Sequence, residues 1–381
     1  MAEHLKRYQL ELTTKGPVFI GDGKRLGKKE YFKKGKIVYV LDLQKMYHGL
    51  QKLRLDKEYE TFLLDSAYGR MGLEQWLRQN HIDPMKNQEW ISYKLDTGDI
   101  LETQRMEILT FIKDPYGCPY IPGSSLKGAL RTVLLSYELC REGERYARER
   151  AELIREARTS SDKRKYYLKK QAEDLETKVF NRLDRLKKEA EKRNAVNDVM
   201  SCLRISDSRP LSTKDLILCQ KLDMFTTGKF KGINVMRECI KPEVKIEFEM
   251  TIDDRFPYTV EEISEAVKNF VNRYYNSYSI LFLKQNPELE IPRINQIWLG
   301  GGAGFVSKTV IYPMLHKKEV DKQLARKDSV DTIANILTKT VNNPEHDHEG
   351  DRSRGISPHT LKTTKCQGKM YEFGKCALKI I

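Results

Sequence analysis

The run Tyr120-Ile121-Pro122-Gly123-Ser124-Ser125-Leu126-Lys127-Gly128-Ala129-Leu130-Arg131-Thr132 holds the residue types of an anion site. Pro122-Gly123 is a turn dipeptide. Ser124 or Ser125 behind it is a candidate cap, because a hydroxyl oxygen accepts from an N–H left free at a helix start. Leu126, Ala129, Leu130 and Val133 mark the apolar side of the helix that follows. Lys127 and Arg131, four residues apart, project together from another side. Free N–H groups, hydroxyls, the positive end of the helix dipole and two cations then face one way, which suits an RNA phosphate. The ordinary alternative is a loop-to-helix junction with two solvated cations.

A second group follows the strand pattern Ile297-Trp298-Leu299. Gly300-Gly301-Gly302-Ala303-Gly304 leads to Ser307-Lys308-Thr309. Four glycines carry an entropic cost, so they predict close approach to another backbone, of protein or of RNA. Counted from Gly302, Gly-x-x-x-x-Ser-Lys-Thr is one substitution short of the phosphate loop of nucleoside triphosphatases. That loop requires a glycine where Ser307 stands and a helix afterwards. Val310-Ile311-Tyr312-Pro313 predicts no such helix. The triphosphatase reading is rejected.

Other residues with chemical potential are set aside. Asp22 in Gly21-Asp22-Gly23 is a turn former that bonds its own backbone. His346-Asp347-His348 has a metal-ligand spacing, yet Asn342-Asn343-Pro344 and Gly350-Asp351 around it predict an exposed, solvated loop, and no metal is assigned. RNA cleavage without a metal needs a base near the 2′-hydroxyl and an acid for the leaving oxygen. The seven histidines are scattered and none lies in either glycine-bearing motif. No catalytic residue and no cofactor is assigned.

The net charge of +14, with a pI near 9.2, favours a polyanionic partner or an anionic membrane surface. No apolar run approaches the roughly 20 residues of a spanning helix, so the membrane is discounted. The chain starts with a strand-like pattern instead of a signal peptide. Seven cysteines without a Cys-x-x-Cys pair indicate reduced thiols in a cytoplasm.

The elements that must position these groups are short alternating strands among helices. Tyr8–Thr14, Ile37–Val40, Met106–Lys113, Met200–Ile205, Leu216–Leu222 and Val244–Ile252 read as strands. Leu43–Leu53, Tyr59–Gln79 and Glu261–Leu283 read as helices, the last with Ile263, Val267, Phe270, Val271, Tyr274 and Tyr278 as its core face. From Leu134 to Asn197 the pattern is helical and densely charged, with one narrow apolar face of Ala172, Leu175, Val179, Leu183, Leu186 and Ala190. This predicts a solvated helical insertion. The fold class is α+β.

The opening run resembles the signature of the RAMP superfamily of CRISPR-associated proteins. Leu203-Arg204-Ile205-Ser206-Asp207-Ser208, the Leu299–Thr309 region, Tyr371-Glu372-Phe373-Gly374-Lys375 and Gly16-Pro17-Val18-Phe19-Ile20-Gly21 extend the resemblance over nearly the whole chain. Together they are similar to the family of fifth Csm subunits of type III-A effector complexes. The resemblance implies two ferredoxin-like (RRM-like) RAMP domains with helical insertions, here placed at 1–135 and 200–381 around an insertion at 136–199. It further implies a non-catalytic crRNA-binding subunit that caps the crRNA 3′-end side and takes part in maturing that end. The alternative within the superfamily is an endoribonuclease that itself cleaves crRNA. Implied partners are crRNA, sibling Csm subunits, especially the neighbouring backbone RAMP subunit, and host ribonucleases. Gly123, Ser124, Ser125, Lys127, Arg131, Gly300, Gly301, Gly302, Gly304, Ser307 and Lys308 are the expected RNA-binding residues.

Overall fold

The computed structural model of the chain describes residues 4–65, 68–69, 71–100, 107–162, 166–186, 188, 193–315, 322–341 and 347–381. The strand β1 (Leu5–Thr14) alternates Leu10 and Leu12 inward with Gln9 and Glu11 outward, as its period of two requires. It is flanked on both sides. β10 (Lys245–Asp253) pairs with it antiparallel, Leu10 opposite Phe248 and Leu12 opposite Ile246, and β14 (Lys375–Ile380) pairs on the other edge. β7 (Leu203–Ile205) and β11 (Gln296–Trp298) complete a five-stranded sheet of order β11-β14-β1-β10-β7. The helices α4 (Gly123–Arg141) and α7 (Val260–Tyr274) pack against each other, with the Tyr258 hydroxyl donating to the buried Glu138 at 2.8 Å between them. Along the chain these elements run β1-α4-β7-β10-α7-β14. A Thr259–Glu262 capping box starts α7, whose inward face carries the predicted Ile263, Val267, Phe270, Val271 and Tyr274.

A six-stranded second sheet has the order β13-β12-β8-β9-β6-β2. It is built from β2 (Gly21–Leu26), β6 (Ile108–Phe111), β8 (Leu216–Phe225), β9 (Phe230–Ile240), β12 (Thr360–Cys366) and β13 (Lys369–Glu372). The sequence reading missed β9, whose Gly232 and charged residues blur the alternation. Its hairpin with β8 supplies the backbone partners instead. A small third sheet, β3 (Tyr31–Lys34), β4 (Ile37–Leu41) and β5 (Ile91–Asp96), carries the helices α1 (Leu43–Lys52), α2 (Asp56–Leu64) and α3 (Leu73–Gln79). This lobe has its own aromatic core of Tyr59, Phe62, Trp76 and Trp90. The pattern over 59–79 is therefore two helices, not one.

Three expectations change in three dimensions. Both large sheets mix strands from before residue 135 with strands from after residue 200, so the expected boundaries do not separate them. The charged segment is also no solvated appendage. It forms α5 (Ala147–Thr159) and α6 (Lys169–Phe180), and it buries Tyr146, Ala157, Leu175, Val179 and Phe180 in the main core. Its helical pattern stops at Phe180, where Leu183 turns back to bond Asn197 through its N–H, while Ala190 lies outside the described residues. Finally, a short helix α9 (Ile311–Leu315) does follow the glycine loop. Pro313 fits its first turn, where an N–H has no intrahelical partner to lose.

Candidate nucleic-acid interface

The opening motif is locked by the Leu203–Ser208 motif. The Gly123 N–H donates to Asp207 Oδ1 at 2.8 Å, the Ile121 N–H to Ser208 Oγ at 2.9 Å, and the Ser208 N–H to the Ile121 carbonyl at 2.9 Å. A Cβ at position 123 would lie 2.3 Å from the carbonyl oxygens of Ile205 and Ser206, so only glycine fits. Neither serine caps α4; it begins one residue earlier, after Pro122. The Asp207 carboxylate already takes the place at the helix start that was expected for a phosphate. Arg131 is likewise committed. It pairs with Asp198 at 2.6 Å and Glu176 at 2.9 Å, and its guanidinium lies 4.2 Å from the centre of the Phe180 ring. It ties α4 to the insertion instead of facing RNA. Lys127 makes no ion pair among the described residues, and burial pulls its ammonium below the ordinary lysine value, against the pull of Asp198.

The glycine loop approaches its own chain. The Leu299 N–H donates to Gly374 O at 2.8 Å, the Gly301 N–H to Phe19 O at 2.7 Å, and the Gly374 N–H to Pro17 O at 2.8 Å. The N-terminal motif and the Tyr371–Lys375 motif thus clasp the loop between them. Gly300 has a φ of +81°, and a Cβ there would lie 2.0 Å from the Phe19 carbonyl oxygen. At Gly302 a Cβ would lie 2.4 Å from the Phe373 ring, whereas Gly304 has only an ordinary contact with Lys362 at 3.5 Å. Ser307 is buried and donates its hydroxyl to Gly304 O at 2.9 Å. Lys308 reaches solvent, yet crowding by protein draws its ammonium below the ordinary value.

The two motifs nevertheless meet. A cleft of about 340 Å³ is lined by Ser125 and Thr132 of α4 on one side and by Gly300, Ser307 and Lys308 on the other. Of the eleven predicted residues, Ser125, Gly300, Ser307 and Lys308 line it; Gly123, Ser124, Lys127, Arg131, Gly301, Gly302 and Gly304 do not.

Three further cations adjoin the loop on the second sheet, and the sequence reading passed over Lys221 and Arg237 entirely. Lys221 sits where the β8–β9 pairing is interrupted, between Gln220 and Leu222. Burial, then Lys362 and Arg237, push its ammonium down to about 8, against Asp223; Lys308 adds to the repulsion. Lys362 is neutralised by Asp223 at 2.7 Å. The Arg237 guanidinium lies 5.6 Å from the centre of the Phe19 ring, and its Nε is buried with no hydrogen-bond partner among the described residues. A single cation within the apolar strand Leu216–Phe225 was the available signal for Lys221.

The histidine spacing resolves differently. His346 lies outside the described residues. His348 instead joins Asp351 and His359: the two Nδ1 atoms sit 3.1 and 2.5 Å from opposite oxygens of the Asp351 carboxylate, and Ser357 donates to it at 2.7 Å. Their ligand atoms lie within 4.8 Å of one another, close enough to hold a metal. Hydrogen bonds from His348, Ser357 and His359 converge on both oxygens of Asp351, so the network pins residues 348–359 together.

A model of the RAMP superfamily matches residues 11–307. A Csm5 protein of a CRISPR system from Streptococcus thermophilus is 30% identical over 351 residues, covering 86% of this chain and 85% of its own. The chain belongs to the Csm5 family of the RAMP superfamily. Another Csm5 protein, from Mycobacterium tuberculosis, is 29% identical over 417 residues and covers 100% of this chain and 99% of its own. Solved structures share the fold. A chain from the cryo-EM structure of a type III-A Csm–crRNA–target RNA ternary complex superimposes with a TM-score of 0.65 at 19% identity, covering 98% of this chain and 100% of that one. The crystal structure of T. onnurineus Csm5 gives 0.61 at 21% identity, with coverages of 96% and 99%. Among the described residues no helix is long and apolar enough to cross a membrane.

Proposed function

We propose that this chain is a non-catalytic crRNA-binding subunit of a type III-A effector complex, capping the crRNA 3′-end side and needed for maturing that end. The observation that carries the reading is the cleft where α4 meets the glycine loop, beside Lys308, Lys221 and Arg237. Cations with few carboxylates to neutralise them attract phosphates without regard to base sequence. The same fold occurs in a chain of a Csm–crRNA complex, which supports crRNA and sibling Csm subunits as partners, the neighbouring backbone RAMP subunit first. Cleavage at the 3′ end falls to host ribonucleases, and the complex works in the cytoplasm.

The reading includes two ferredoxin-like units. The order β14-β1-β10-β7 along a βαββαβ path supports the first; the second sheet is taken as the core of the other.

Co-expression with sibling Csm subunits tests the proposal. The purified complex should carry crRNA of defined length, and Lys221→Ala with Lys308→Ala should lower its recovery. The endoribonuclease reading has one observation in its favour: Lys308, with its lowered ammonium pKa, stands beside Ser307 and Thr309. Specific cleavage by the purified chain alone, abolished by Lys308→Ala, would install that reading instead.

A further inference from the structure

Between α10 (Lys322–Thr340) and β12 the chain winds around one carboxylate. The sequence spacing points to Asp347, yet that side chain is exposed and pairs with Arg354 at 2.9 Å. Asp351 takes its place. It opens the short helix α11 (Asp351–Arg354) and is fully buried, with His348 just before that helix and His359 just before β12. Both imidazoles are 6% exposed and aim Nδ1 at the carboxylate, and the ring centres stand 5.4 Å apart. The groups are held from behind. Ser357 donates to Asp351 Oδ2, and its own carbonyl accepts from the Tyr312 hydroxyl at 2.8 Å. The Phe225 ring stacks on His359 at 5.8 Å, with the planes 16° apart.

We propose that His348, Asp351 and His359 bind one zinc ion. The inference does not depend on the RNA-binding reading. Two neutral imidazoles and one carboxylate are donors that zinc takes, at about 2.0–2.2 Å each, in a tetrahedral arrangement. Tetrahedral ligands at that radius lie about 3.3–3.6 Å apart. Here one ligand atom from each residue lies within 4.8 Å of the others, and the nitrogen–oxygen gaps are 3.1 and 2.5 Å. Small side-chain rotations therefore open the cluster to the ion. Each imidazole binds through Nδ1 with its proton carried on Nε2, so the neutral rings need lose no proton. Three protein ligands leave the fourth tetrahedral place to water. Magnesium and calcium fit poorly, since they prefer six or more oxygens and this site offers one carboxylate. Arg354 is the cation beside the site: its Nη1 stands 3.6 Å from Asp351 Oδ1, and Asp347 neutralises it. Bound there, zinc crosslinks α11 to the start of β12, the strand that carries Lys362, and steadies His359 against Phe225 at the end of β8.

The full-length chain, stripped with EDTA, tests the site. Calorimetry with zinc chloride should show one equivalent bound, and the melting temperature should rise with the logarithm of the zinc concentration. Magnesium chloride should do neither. His348→Gln, His359→Gln and Asp351→Asn each remove a ligand and should weaken zinc binding at least about tenfold. Ser357→Ala, which frees the carboxylate to turn, should cost about tenfold. X-ray absorption at the zinc edge of the loaded wild type should show nitrogen and oxygen neighbours with imidazole scattering and no sulfur, which separates this site from the seven cysteines. That spectrum decides by itself if a substituted chain fails to fold. Failure of the stripped protein to bind one equivalent would overturn the inference. So would binding that survives all three ligand substitutions, or a sulfur shell in the spectrum; the three side chains would then serve as a hydrogen-bond network only.

Discussion

Protein crowds Lys221 and Lys308, and neither has an ion pair among the described residues. Folding lowers the Lys221 ammonium from 10.5 to about 8. Its charge therefore costs stability below about pH 8, and that cost is relieved as pH climbs from there towards 10.5, where the unfolded chain still holds its proton. A bound phosphate reverses the repulsion. RNA affinity should consequently fall as pH rises through about 8, more steeply in the wild type than in Lys221→Ala; dissociation constants measured between about pH 7 and 9 check this. Lys308→Ala should weaken binding evenly across RNA sequences and flatten the log–log salt slope by about one unit. Arg131→Ala should behave in the opposite way, lowering the melting temperature with the salt slope unchanged, because Asp198 and Glu176 already neutralise that guanidinium.

Elements explain why the glycines stand where they do. Each close approach of the loop is to Phe19, Phe373 or the backbone beside them, so its glycines are a condition of folding first. Gly302→Val forces a side chain into the Phe373 ring and should destabilise the protein by about 1–3 kcal/mol, read as a lower denaturant midpoint. Gly304→Ala, with its nearest atom at 3.5 Å, should melt like the wild type. The insertion obeys the same logic of packing. Phe180 is fully buried beneath Arg131, and Phe180→Ala should cost about 3–5 kcal/mol. Excising residues 141–193 should abolish cooperative melting, since the excised core residues leave a cavity in the main core.

For the whole molecule, net charge and its placement single out the face on which RNA binding is proposed. The open face of the first sheet carries Glu11, Glu247 and Glu249, but it also carries Arg7, Lys245 and Lys379, and Arg209 pairs with Glu247 at 3.2 Å, so its charges largely offset one another. The glycine-loop cleft and the adjoining cations of the second sheet lie elsewhere. Photo-crosslinking with 4-thiouridine RNA should therefore map to peptides around 221–237 and 299–309, and not to β1 or β10. Crosslinks concentrated on the first sheet would move the RNA path to that open face.

Local pattern in the sequence was enough for the α+β class, the amphipathic α7, the alternating β1 and β10, and the importance of the glycine-bearing motifs. Such features depend on neighbours within a few residues. Lys308 could be proposed for the same reason, as a cation just beyond a glycine run, and the fold sets it beside the cleft. Which cation is free and which is already paired depends on residues far apart in the chain. Asp198 and Glu176 claim Arg131, Asp207 claims the start of α4, and Phe19 and Phe373 claim the loop glycines. Lys221 and Arg237 come together only because β8 and β9 form a hairpin whose second strand has no clear local pattern. Periodicity records which residues are apolar and how they are spaced; the partner of a buried charge is set by the path of the whole chain.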